Sequence, residues 1–214
     1  MDEPQTLINI DEPIHKPLRW NDEIRLLKLF PREEDENLTA ELIHVRMMNS
    51  PEYEAVSYTW ATLDGDTSLC QDITISPSKK KLQITKNARY ALARLRHQSS
   101  ARILWMDSIC IDQSNLKERS HQVKQMTEIY GNAQKVLVYL QPMPELRSIV
   151  RLQRLFKTIQ DHGLCDLLYD GRISEVRQDA KIFISNPWFR RMWVLQEVAL
   201  ARSAIIYCGS CQLD

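Results

Sequence analysis

The chain has 214 residues, and its 28 Lys and Arg are balanced by 28 Asp and Glu. Neutral overall charge supplies no general field for nucleic acid or an anionic membrane surface, so neither is expected as a partner. No apolar run approaches the roughly 20 residues that span a bilayer, and the opening residues 1–20 are polar and acidic, unlike a signal sequence.

These limits point to a soluble, cytoplasmic protein with one main core. Five cysteines, at 70, 110, 165, 208 and 211, form an odd and scattered set that reads as reduced thiols. Cys208 and Cys211 make a Cys-x-x-Cys whose metal or redox role the sequence leaves open.

Residues 1–23 carry Pro4, Pro13 and Pro17 among acidic residues and read as an N-terminal arm, with the domain proper over 24–214. Ile24 to Phe30 and Leu38 to Met48 are strand-like, and the acidic link between them predicts a hairpin. Tyr53 to Trp60 is a third strand, followed by a polar loop through Asp64-Gly65-Asp66 and short strands near Ile73 to Ile75 and Leu82 to Ile84. Ala88, Ala91, Leu92 and Leu95 mark a helix opened by Thr85 or Asn87. Ile103 to Met106 is a buried-type strand ending at Asp107. Val123, Met126, Ile129 and Tyr130 mark another helix, stopped at Gly131. Lys135 to Leu140 is an apolar strand closed by Pro142 and Pro144. Helices are expected over Leu146 to Ile159 and Ile173 to Ile184, with an exposed loop through His162-Gly163 and Asp170-Gly171 between them. Asn186-Pro187 is a helix start, an Asn cap with proline in the first turn, and Ala204 to Tyr207 supplies a last strand. Apolar strands alternating with helices predict a parallel sheet covered on both faces.

If one helix runs from Asn186, Glu197 lies about three turns in. Its neighbours at three and four residues are Trp193, Val194, Leu200 and Ala201, none of them a cation. A solvent-facing glutamate more often has Lys or Arg at that spacing, so a carboxylate in apolar company is a candidate chemical group. The same helix would align Arg190, Trp193 and Glu197 on one face. Ser57-Tyr58-Thr59-Trp60 and Asp107-Ser108, with Asp112 shortly after, fall at the carboxyl ends of strands, where open parallel sheets bind ligands. Core packing for Trp193 and a cap or turn role for Asp107 stay open. With five glycines and no Gly-x-Gly-x-x-Gly or Gly-x-x-x-x-Gly-Lys, a phosphate-cradling loop and an ordinary Rossmann cofactor are not indicated. Histidines at 15, 44, 97, 121 and 162 are dispersed, no metal ligand set is evident, and no nucleophile elbow accompanies Ser120-His121.

Four motifs resemble the fungal heterokaryon incompatibility (HET) domain, in that family's order from about Tyr53 to Gly209. They are Tyr53-Glu-Ala-Val-Ser-Tyr-Thr-Trp60, Leu104-Trp-Met-Asp-Ser-Ile-Cys-Ile-Asp-Gln113 with Glu118-Arg119, Gln122-Val-Lys-Gln-Met-Thr-Glu-Ile-Tyr130, and Arg191-Met-Trp-Val-Leu-Gln-Glu197. Ala61 departs from the glycine usual after the tryptophan. The HET domain is in turn similar to Toll/interleukin-1 receptor (TIR) domains: Tyr53 to Tyr58 resembles the TIR opening strand, and Trp193-Val-Leu-Gln-Glu197 resembles the TIR Trp-Cys-x-x-Glu. The implied fold is an α/β, TIR-like (flavodoxin-like) three-layer domain with a mainly parallel central sheet and an added N-terminal hairpin.

The resemblance implies an NAD glycohydrolase activated by self-association into oligomers, acting in fungal cell death, with NAD as substrate and no resident cofactor. Glu197 would be catalytic. Trp193 would border the ribose, Arg190 or Arg191 would meet the diphosphate, and Ser57, Tyr58, Trp60 and Asp107 would form the opposite wall. The competing expectation is a non-enzymatic adaptor that signals through assembly, and a weaker third is a metal-dependent phosphoryl enzyme using Asp107 and Asp112. Because HET domains commonly precede other regions, a longer protein with a sensor or regulatory partner is expected.

Overall fold

The computed structural model describes residues 12–31, 37–146, 148–165 and 174–213. The start of the arm, most of the acidic link after Phe30 and the Asp170-Gly171 turn lie outside the described residues.

Strands β1 (Glu23–Leu29) and β2 (Thr39–Arg46) pair antiparallel from Glu23 opposite Arg46 to Leu29 opposite Ala40, so the expected hairpin forms. Next come β3 (Glu54–Tyr58), β4 (Gln71–Ser76), β5 (Lys80–Ile84), β6 (Arg102–Trp105), β7 (Lys135–Leu140), β8 (Ala204–Cys208) and β9 (Cys211–Leu213). All join one sheet in the order β5-β4-β2-β1-β6-β3-β7-β8-β9. The neighbours β6, β3, β7 and β8 run parallel, with β7, buried from Val136 to Leu140, near their middle. β4 also lies parallel to β2, but β1 meets both β2 and β6 antiparallel, and β5 and β9 fold back on their partners. The expectation of a mainly parallel sheet is therefore corrected to a mixed sheet with a parallel centre. The reason is local: links such as Pro77 to Lys79 and Gly209-Ser210 are too short for a parallel crossover and force hairpins.

β9 was not foreseen, and it settles the geometry of Cys208 and Cys211. They oppose one another across the hairpin, both as free, buried thiols, and burial pushes the Cys208 thiol up to about 12. The turn between them uses Gly209 at φ +57°, where an added Cβ would also meet the Pro142 ring at 3.4 Å.

Helices α1 (Lys86–Leu95), α2 (Asp107–Cys110), α3 (Leu116–Asn132), α4 (Ile149–His162), α5 (Ser174–Ile184) and α6 (Val194–Ala199) complete the fold. Thr85 Oγ1 accepts from Ala88 N at 3.2 Å and caps α1; Asn115 Oδ1 accepts from Glu118 N at 3.2 Å and starts α3 well before its apolar stripe. Alternation along β6 sends Arg102 and Trp105 to opposite faces of the sheet. Arg102 donates to Leu95 O of α1 at 2.8 Å, whereas Trp105 packs edge-on to Tyr130 of α3, with ring centres 5.5 Å apart. Helices thus cover both faces. Residues 12–22 lie along the hairpin side, where His15 bonds Ile109 O at 2.8 Å. Among the described residues no helix is long and apolar enough to cross a membrane.

One ion pair ties the hairpin to α3. Arg25, with its side chain 1% exposed, sends Nη1 to Glu118 Oε1 at 2.5 Å and Nη2 to Oε2 at 3.0 Å, and Glu118 also accepts Asp112 N at 2.8 Å. Glu118→Ala should lower the urea-unfolding free energy by about 3–5 kcal/mol, because it strands a buried guanidinium. Removing the half-exposed carboxylate that faces Lys28 at 3.9 Å, by Glu41→Ala, should cost less than about 1 kcal/mol.

Candidate functional site

The segment that carries Glu197 does not form the single helix expected from Asn186. Asn186 Oδ1 caps Trp188 N at 3.1 Å, and its amide donates to Gln141 O just past β7 at 3.0 Å. Pro187–Arg190 is a 3-10 turn, Arg191 is extended at φ −74°, ψ 132°, and α6 starts afresh at Val194. The break follows from what the turn must bury. Phe156, Phe183, Phe189 and Trp188 stack edge-to-face with centres 5.5, 5.3 and 5.0 Å apart, which fixes Trp188 against the sheet. Glu197 consequently lies in the first turn of α6, and Arg190, Trp193 and Glu197 do not share a face of one helix.

The break also brings to Glu197 a cation that helical spacing does not offer. Arg191, six residues earlier, folds back on it with Nη2 to Oε1 at 2.8 Å and Nη1 to Oε2 at 3.1 Å. Ser57 Oγ donates to Oε2, and Trp188 Nε1 donates to Ser57 Oγ at 2.7 Å. Glu197 is 0% exposed. A buried line of donors therefore runs from Trp188 through Ser57 to a carboxylate gripped by a guanidinium fork, at the carboxyl end of β3.

Arg191 is the exit from this line to solvent. With Trp60, Asp107, Gln113, Arg119 and Trp193 it borders a pocket of about 160 Å³ whose apolar floor includes Val123 and Met126 of α3. Trp60 Nε1 donates to both Asp107 carboxylate oxygens, at 3.2 and 3.1 Å, and Ser108 N donates to Oδ1 at 2.7 Å. Asp107 thus opens α2 and faces the pocket as well. Burial pushes its carboxyl up to about 6, against the lowering pull of Trp60 and Arg191. Tyr58 is buried beneath, its hydroxyl donating to Ser108 Oγ at 2.6 Å, and its phenol is pushed well above the ordinary value by burial and by the charge of Asp107.

Of the sequence candidates, Ser57 joins Glu197 in the buried line, and Trp60, Asp107, Arg191 and Trp193 meet around the pocket. Tyr58 supports Ser108 from below, and exposed Arg190 is not among the pocket residues. Trp193 is 44% exposed, at the rim rather than in the core. Asp112 turns away to accept Ser114 N at 3.0 Å and Ser114 Oγ at 2.6 Å. Among the described residues, no three His, Cys, Asp or Glu converge as a metal site would require. Sequence reasoning missed Trp188, Gln113 and Arg119. The last two lie within the motif around Asp107, but nothing in their spacing marks them as pocket residues.

A carboxyl whose folded pKa exceeds its unfolded value favours folding while protonated. The contribution of Asp107 is complete below about 3.8 and is lost as pH rises to about 6. Melting temperatures measured across this window should therefore fall for the wild type relative to Asp107→Asn, and the difference should be flat above about pH 7. A difference that is constant, or that grows in the opposite direction, would show that Asp107 is not desolvated.

The profile of the family described as Heterokaryon incompatibility protein (HET) matches residues 53–197, from the residue before β3 to Glu197 itself. The chain is also similar to "Heterokaryon incompatibility protein 6, OR allele" of Neurospora crassa, with 26% identity over 224 aligned residues, covering 87% of this chain. The aligned region spans 33% of that relative's length. No solved structure matches the chain. With the family profile covering most of its length, from the strand that carries Ser57 to the helix that carries Glu197, the chain belongs to the heterokaryon incompatibility (HET) family.

Proposed function

We propose that this HET domain is a cell-death effector of a fungal response to non-self that hydrolyses the nicotinamide–ribose bond of NAD when self-assembled. The observation that carries the proposal is a fully buried glutamate at the carboxyl end of a central parallel strand, one side chain away from a pocket with two indoles, two guanidiniums and a carboxylate. Three further points support it. In chain order, the parallel centre β6-β3-β7-β8 reads second, first, third, fourth, which is the beginning of the flavodoxin-like order. The crevice where that order reverses lies between β3 and β7, and Ser57 stands at its edge. Trp193-Val-Leu-Gln-Glu197 resembles the catalytic motif of TIR enzymes, and the Neurospora relative carries heterokaryon incompatibility in its name.

In this reading nicotinamide leaves as a neutral base from a pyridinium, so little acid assistance is needed and the barrier lies in an oxocarbenium-like ribose. Glu197 stabilises that charge, oriented by Ser57 and Trp188, in a site largely free of water. Trp193 and Trp60 border the flat parts of the substrate, with Asp107 on the facing wall. A cavity of about 160 Å³ is smaller than the roughly 300–1,000 Å³ of ordinary ligand sites, so in this reading assembly widens the pocket before NAD enters.

A second reading, a non-enzymatic assembly module linked to a sensor or partner, is favoured by one observation: the Glu197 oxygens are satisfied inside the fold, as a purely structural pin would be. Nicotinamide release from NAD separates the two. Wild type should release it increasingly with clustering, and Glu197→Gln, assayed below its own melting temperature and at the same degree of clustering, should be slower by at least about a hundredfold. Clustered wild type that releases none would support the assembly module, and equal release by both would exclude Glu197.

A further inference from the structure

Any ligand contact by Glu197 requires Arg191 to leave, because Glu197 is 0% exposed and its carboxylate is held by the Arg191 fork and by Ser57. A guanidinium lifted from a bidentate carboxylate is not left bare at low cost; it moves when another planar or tetrahedral oxyanion accepts its fork. Arg191 is already placed for such an exchange. It stands on the extended residue between the 3-10 turn and α6, its side chain is 21% exposed, and it borders the pocket. Arg119 borders the same pocket, and among the described residues its guanidinium has no hydrogen bond or ion pair. Met192, next to Arg191, is 83% exposed, so no packing of that side chain holds the segment in place.

The geometry points to an exchange latch: a phosphoanhydride group binds at the pocket mouth between Arg119 and Arg191, draws Arg191 off Glu197, and so uncovers the carboxylate only when an anionic ligand is in place. The latch rests on the reading of Glu197 as the functional group of the site, and it adds Arg119 as a second anion-holding residue and a coupling between anion binding and exposure of the carboxylate.

The test is calorimetric titration of the whole chain with pyrophosphate, and with ADP as a second probe, without any turnover measurement. Because the wild type must break the Arg191–Glu197 pair to bind, Glu197→Gln should bind pyrophosphate at least tenfold more tightly. Asp107→Asn removes a carboxylate from the same pocket without freeing Arg191 and should gain clearly less. The gain of Glu197→Gln should vanish when Arg191→Gln is added, and Arg119→Gln should weaken binding in every background. On the unaltered chain, the Nε–H NMR resonance of Arg191 should shift on saturation with pyrophosphate, and that of Arg190 should not. Equal gains for Glu197→Gln and Asp107→Asn, a gain that survives loss of Arg191, an unmoved Arg191 resonance, or no pyrophosphate binding would each overturn the latch. Binding with exchange in a protein that never releases nicotinamide would leave the latch standing and remove only the hydrolase reading.

Discussion

A carboxylate taken out of water must find charge and hydrogen bonds inside the fold, and at Glu197 that requirement organises the whole end of the domain. The partners come from three places: Arg191 from the break before α6, Ser57 from the end of β3, and Trp188 from the 3-10 turn that holds Ser57 in place. None of these can be set without the sheet. β3 must end beside β7, Asn186 must reach Gln141 beyond β7, and the aromatic stack from α4 and α5 must press Trp188 inward. The site is thus a consequence of how the last third of the chain closes over the parallel centre.

Stability and chemistry are coupled in such an arrangement. An ion pair as buried as this one gains little over an apolar pair of similar volume, yet losing one member leaves the other charge stranded. The same holds for Arg25 and Glu118, but there the pair joins hairpin to helix beneath the arm. The Arg191–Glu197 pair differs because one partner reaches solvent beside Trp60, Asp107 and Trp193. A desolvated carboxyl at Asp107, held by an indole N–H, adds a second buried acidic group beside the same small volume.

Much of the fold was legible in the sequence because its signals are local. The apolar run Lys135 to Leu140, the alternation of residues 38 to 48 and the Thr85 cap each point to an element that forms. Strand direction was less legible, since pairing depends on neighbours far away in the chain; β9 escaped because three residues after a short turn carry no period. At the site, Ser57, Trp60, Asp107, Trp193 and Glu197 could be singled out by residue type and position. Their wiring could not. Arg191 lies at a spacing of six, which no helix brings together, and the break that makes the contact is set by burial of Trp188 and Phe189 rather than by any breaker residue between Pro187 and Glu197.

A crystal structure of the clustered chain with a non-cleavable NAD analogue would test the central claim most directly, that Glu197 serves a ligand once Arg191 has released it. The result expected is the ribose against the Glu197 carboxylate, with the Arg191 guanidinium turned away to the diphosphate beside Arg119. An analogue bound elsewhere, or bound in the pocket while Arg191 still grips Glu197, would contradict it and leave Glu197 as a structural pin.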